Sequence, residues 1–91
     1  MKNMPQGLVA YKRTDTFNEL TIPKGLLNSH TTKAGTWGKI CVNSGALLYV
    51  IEQQPYEEIE LNPQKFGVVE PQVPHHVQAI GEVEFYVEFY K

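Results

Sequence analysis

Residues 82–90, EVEFYVEFY, alternate strictly: Val83, Phe85, Val87 and Phe89 fall on one face and Glu82, Glu84, Tyr86, Glu88 and Tyr90 on the other. A period of two is the side-chain geometry of a strand and does not fit the 3.6-residue period of a helix. One face is large and apolar, the other acidic and tyrosine-rich. Such a strand lays its apolar face on a core, and its tyrosine face is suited to covering a second copy of the chain.

The rest of the chain repeats the pattern in shorter pieces. Residues 7–13 form a short strand candidate, and in TDTFNEL Thr14 or Asp15 caps at most a single turn. From Thr21 to Gly35 the chain is punctuated by Pro23, Gly25 and Gly35, with LLNSH as a short extended piece carrying His30. TWGKICVN (36–43) meets the turn signal Asn43-Ser44-Gly45 and leads into ALLYVIE, which predicts a hairpin. YEEIEL alternates Glu57, Ile59 and Leu61 against Glu58 and Glu60 and stops at Asn62-Pro63. FGVVEP and HHVQAI follow, and Gly81 turns the chain into its last strand. Short strands with turns every eight to twelve residues predict an all-β sandwich or barrel.

Length and charge bound the rest. The 91 residues, 42% hydrophobic and 20% charged, suit a single domain spanning 1–91 with a small core. Eight Lys and Arg against ten Asp and Glu give a net charge of −2, so no basic field is available to hold a nucleic-acid backbone. No apolar run reaches the roughly 18 to 20 residues of a membrane span, and MKNMPQGLVAYKR lacks the apolar centre of a signal peptide, so a cytoplasmic protein without a membrane partner is expected. The single cysteine, Cys41, has no partner for an intramolecular disulfide and reads as a small buried apolar residue.

Chemistry is concentrated in FGVVEPQVPHHVQAI (66–80), which holds two of the three histidines. In a strand His75 shares a face with Val77 and Ala79, and His76 shares the opposite one with Gln78, so the two neighbours cannot serve one interior site. His75 is expected to face inward and His76 outward. Pro71 and Pro74 remove two backbone donors and bias Glu70 and Val73 toward extended conformations, giving a stiff turn ahead of the histidine.

The order strand, glycine, proline-containing turn, histidine and strand, from Gly67 through Pro71 to His75, resembles the second motif of the cupins, with Pro74 in place of the usual glycine before the histidine. HTTKAGTWGKICVNSGALLYV (30–50) together with VEPQVPHHVQAI (69–80) and a closing aromatic strand is similar, over most of the chain, to the small cupin domain associated with tellurite resistance. That domain occurs alone and also ahead of the methyltransferase domain in proteins of the tellurite-resistance protein B type. The resemblance implies a single-domain cupin-like jelly roll, a double-stranded β-helix barrel, standing without a methyltransferase domain. It further implies a divalent metal, Zn, Ni or Fe(II), held by histidines and a carboxylate.

The ligands that carry over are His30 and His75, with Glu70 or His76 beside them, because the first cupin motif retains only His30, and Gly38 and Lys39 stand where its glutamate is expected. An open metal position with Lys33 or Lys39 nearby would favour a small-molecule or oxyanion ligand. The chain lacks the glycine-rich loop after a strand that S-adenosylmethionine binding requires. A metal-free barrel acting as a ligand sensor or interaction module is the alternative, and exposed strand edges favour a homodimer in either case.

Overall fold

The computed structural model describes residues 1–91. Its architecture follows from two unusually long strands, β3 (Trp37–Ile51) and β6 (His75–Tyr90), which run antiparallel along their whole lengths, from Trp37 opposite Tyr90 to Ile51 opposite His75. Around this ribbon are set β1 (Ala10–Arg13), β2 (Phe17–Asn18), α1 (Lys24–Leu27), β4 (Glu57–Leu61) and β5 (Gly67–Val69). The sheet order is β1-β6-β3-β4, with β2 also pairing with β6 and β5 with β3. The protein is therefore mostly β, with one short helix and one antiparallel sheet that does not close on itself.

The predicted hairpin at Asn43-Ser44-Gly45 does not form. The chain passes straight through these residues as one strand, and Gly81 likewise lies inside β6 instead of ending it. The turn residues are used to bend the ribbon: the register slips between Val42 and Ser44 and again between Gly45 and Ala46, leaving Asn43 on one side and Gly81 with Glu82 on the other without a direct partner. Unpaired residues of this kind are bulges, which sharpen twist and bend a sheet. Gly45 (φ 79°) and Gly81 (φ 64°) adopt the left-handed conformation that favours glycine. At Gly45 the need is absolute, because a Cβ there would lie 2.0 Å from the Glu82 carbonyl oxygen.

The core gathers on one face of the bent sheet. Leu47, Leu61 and Phe85 are fully enclosed, with Ile40, Tyr49, Val69, Val77, Val83 and Val87 around them. The alternation of the last strand is realised as read, since Val83, Phe85 and Val87 are buried while Glu82 and Glu84 are exposed. Cys41 differs from its expected burial: it is opposite in phase to buried Ile40 and Val42 and is half-buried. Burial there pushes its thiol up from its ordinary pKa. The outward tyrosines also find partners within the chain, the Arg13 guanidinium lying 3.8 Å from the Tyr86 ring centre and Tyr90 donating its hydroxyl hydrogen to Glu88 at 3.2 Å.

Candidate functional site

His30 and His75 come from segments 45 positions apart and meet through the backbone. Each donates its N–H to the other's carbonyl oxygen at 3.0 Å, forming a two-residue antiparallel bridge at the end of the long ribbon, where His75 opens β6. The approach to His30 is set by α1, a single turn begun at Pro23, whose ring suits the start of a helix. That turn occupies Leu26 and Leu27, which were expected to be extended. Asn28 ends it by returning its side-chain amide to the Lys24 carbonyl at 2.8 Å. The approach to His75 is the Glu70–Pro74 turn, closed by Val73 N–H donating to the Glu70 carbonyl, with Gln72 in the left-handed region (φ 63°).

The two rings lie with centroids 4.0 Å apart and tilted by 54°. Each Nδ1 is held by the carbonyl two residues earlier, His30 by Asn28 at 3.0 Å and His75 by Val73 at 2.9 Å. A carbonyl only accepts, so Nδ1 carries the hydrogen, and in a neutral ring Nε2 is left with a free lone pair. No fully enclosed side-chain nitrogen or oxygen lacks a partner, so the second nitrogen of His75 reaches solvent although the residue is only 4% exposed. Burial lowers the His75 pKa to about 4, with the neighbouring His30 acting in the same direction and the bond to Val73 opposing it. His75 is accordingly neutral at pH 7.

Both histidines line a cavity of about 410 Å³. Its apolar wall is the inner face of the sheet, Ile40, Val69, Val77, Phe85, Val87 and Phe89, and its remaining lining includes Lys12, Lys33 and the threonines Thr31, Thr32 and Thr36. Thr32 is fixed by donating its hydroxyl hydrogen to the Thr36 carbonyl at 2.8 Å. The volume falls within the range of small-ligand sites, which combine an apolar wall with a few placed polar groups.

The other sequence-predicted ligands lie elsewhere. Glu70 lines a separate cavity of about 220 Å³ and pairs with Lys2 at 3.2 Å. His76 projects to the opposite side of β6 from His75 and pairs through Nδ1 with Glu52 at 2.5 Å, a contact that lowers the Glu52 pKa. Lys33 lines the cavity with the histidine pair, whereas Lys39 sits with its ammonium 4.6 Å from the Phe66 ring centre. No group of three or more His, Cys, Asp or Glu residues is placed to hold a metal ion. Two imidazoles do not amount to the three or four protein ligands of a resident zinc-type centre.

Sequence reasoning missed Lys12, which the pairing of β1 with β6 brings to the cavity, and the threonines, which the loop after His30 carries there. Phe85, Val87 and Phe89 carried a usable signal, because the alternation of the last strand already put them on the inner face.

Over residues 12–87 the sequence matches the family described as the TehB-like domain. The chain belongs to the TehB-like domain family. Among its relatives is the probable S-adenosyl-L-methionine-dependent methyltransferase TehB of Haemophilus influenzae, 32% identical over 83 residues that make up 87% of this chain and 29% of the relative. The same protein from another strain of that organism is 30% identical over the same shares. The crystal structure of Haemophilus influenzae TehB superposes with a TM-score of 0.84 at 30% identity, covering 96% of this chain and 32% of that one. A crystal structure of a protein from Escherichia coli K12 shares the fold at a TM-score of 0.87 and 24% identity, covering 100% of this chain and 97% of that one. This TehB-like chain thus spans about a third of the length of the methyltransferases it matches.

Proposed function

We propose that this TehB-like domain is a cytoplasmic binding module that takes a small polar or anionic molecule into the His30–His75 cavity, in the response to tellurite or a related toxic oxyanion. The observation that carries the reading is the histidine pair itself. Two rings with carbonyl-held Nδ1 atoms open onto a 410 Å³ cavity lined elsewhere by Lys12, Lys33 and three threonines. Membership of the TehB-like family supplies the tellurite context. The bent two-strand ribbon with short strands on both flanks is in keeping with a cupin-like jelly roll whose sheet stays open.

A specific observation also favours a second reading. Imidazoles that ligate metals commonly have their other ring nitrogen fixed by a carbonyl or carboxylate, as Nδ1 is fixed in both residues here. Zn, Ni or Fe(II) could then be held by the two Nε2 atoms, with the ligand completing the coordination; neither Glu70 nor His76 takes part in that set.

The test is a ligand-observed NMR screen of small polar molecules and oxyanions against the native protein, His30→Phe and His75→Phe, run with and without Zn, Ni or Fe(II). Binders that compete for one site and are lost in both variants are expected. Binders indifferent to both substitutions would overturn the cavity as the site, and binding that requires added metal would select the second reading.

A further inference from the structure

We infer that the ligand of this cavity is an organic molecule with a hydrogen-bond-donating hydroxyl or N–H head seated on the two Nε2 atoms and an apolar body lying along the inner face of the sheet, not a bare oxyanion. The inference rests on the cavity being a binding site and specifies what that site recognises.

Three observations converge. The head group is dictated by the histidines. Each Nδ1 is committed to a backbone carbonyl, at 3.0 Å for His30 and 2.9 Å for His75, so a ring in its neutral form offers an acceptor at Nε2. An acceptor pair binds donors and repels a fully deprotonated anion. The rings are also immobilised, because their backbones clamp one another through two hydrogen bonds of 3.0 Å and their centroids are 4.0 Å apart. Two rings held this close address two donors on one molecule or a single group with two hydrogens.

The body is dictated by the wall. Tyr11, Leu26 and Phe89 give the cavity its accessible apolar surface, and the buried side chains of Ile40, Val69, Val77, Phe85 and Val87 stand directly behind it. Those buried side chains make no hydrogen bonds to a polar ligand. Phe89, beside them, is partly buried and adds an aromatic surface.

Size agrees with this division. A four-atom oxyanion takes the room of roughly four waters, on the order of 120 Å³ at the liquid's share of about 30 Å³ each. A cavity of about 410 Å³ would remain mostly unfilled. A ligand that reached the apolar wall as well as the histidines would fill it and displace water from apolar surface. Lys12 and Lys33, also in the lining, can accommodate an acidic substituent on such a molecule without being the feature that selects it.

The test uses three probes on the native full chain at pH 7, followed by amide and imidazole NMR: resorcinol, with two hydroxyl donors on an aromatic body; its dimethyl ether, with the same body and no donor; and sodium tellurite, with no apolar body. Resorcinol is expected to shift the amides of Val77, Phe85 and Val87 and the ring nitrogens of His30 and His75. It should bind at least about tenfold more tightly than the ether, the worth of one good hydrogen bond. Tellurite is expected to bind at least about tenfold more weakly than resorcinol. His30→Phe and His75→Phe should each abolish the advantage of resorcinol over the ether.

Equal binding of the ether would overturn the donor head, and tellurite binding as tightly as resorcinol at these histidines would overturn the apolar body while leaving the cavity as a binding site. Resorcinol shifts confined to residues outside the cavity would also sink the inference. If no probe perturbs any cavity residue, with or without metal, the binding-module reading falls together with it. The comparison among probes on native protein stands even if a histidine variant fails to fold.

Discussion

His75 is the residue at which local sequence and tertiary environment act most strongly on each other. In the unfolded chain its ordinary pKa of 6.5 applies, while burial lowers it to about 4 in the folded protein. Below pH 6.5 the unfolded state takes up a proton that the folded state refuses, so stability is lost as pH falls from 6.5 toward 4. The gap corresponds to a loss of about 3 kcal/mol at the lower end. Urea unfolding at pH 7 and pH 4.5 is expected to show most of it, and His75→Phe to flatten the dependence across that interval. The depressed pKa of Glu52 adds a loss of the same sign, but at lower pH, below the ordinary carboxylate value of 4.5. A stability that is level between pH 7 and 4.5 in the native protein would contradict the burial argument.

Tyr49 is a second residue whose role the sequence concealed. Its position in ALLYVIE marks it only as an apolar strand residue, yet in the structure it is 1% exposed and donates its hydroxyl hydrogen to the Val68 carbonyl at 2.8 Å, tying β3 to β5. Burial raises its pKa, so the hydroxyl keeps its hydrogen. Tyr49→Phe is expected to lower stability by about 1–2 kcal/mol by leaving that carbonyl without this donor. A change in unfolding free energy smaller than the experimental error would show the hydroxyl to be dispensable. The inward placement of His75 was legible from period two alone, whereas the partner of its ring, His30, was reached only through the family resemblance: the chain between them carries no pattern that states their distance.

At the scale of elements, the decisive feature is the bend shared by β3 and β6. Both glycines of the bend were visible as turn signals, but their role as bulges was not, because a hairpin and a bent continuous strand use the same residues. What decides between them is the distant partner: each half of β3 pairs with a half of β6, so the chain gains a full ladder by continuing and would lose it by reversing.

The two glycines are expected to respond differently to substitution. Gly45→Ala places a Cβ 2.0 Å from the Glu82 carbonyl oxygen and strains a positive φ, and should cost about 3 kcal/mol or more. Gly81→Ala meets nothing within 4 Å and should cost only the left-handed penalty of about 1 kcal/mol. Chemical denaturation of the two variants checks this, and equal losses would mean that the backbone contact at the bend is not what requires Gly45.

At the scale of the whole molecule, the sheet is open, and all four residues of β1 are exposed. Exposed edges invite pairing with another copy, and a homodimer through such an edge is the association we propose. Analytical ultracentrifugation across a range of protein concentrations is expected to show a dimer that dissociates on dilution; a monomer at every concentration would reject it. The outer tyrosines are weaker grounds for that dimer than their pattern suggested, since Arg13 covers Tyr86 and Glu88 engages Tyr90. No helix is long and apolar enough to cross a membrane.

The sequence by itself determined that this chain is built of strands, which face of the last strand is buried, that His75 turns inward, and which family it belongs to. All of these are written in nearest-neighbour alternation or in short local runs, where period two and turn chemistry act without reference to the rest of the chain. Only the tertiary structure decided that two turn signals are bends, that Glu70 lies apart from the histidine pair, and that Lys12 and the threonines line its cavity. Those facts depend on which distant backbone groups satisfy one another's hydrogen bonds, a choice settled by the competition among all possible strand pairings and not by any single stretch.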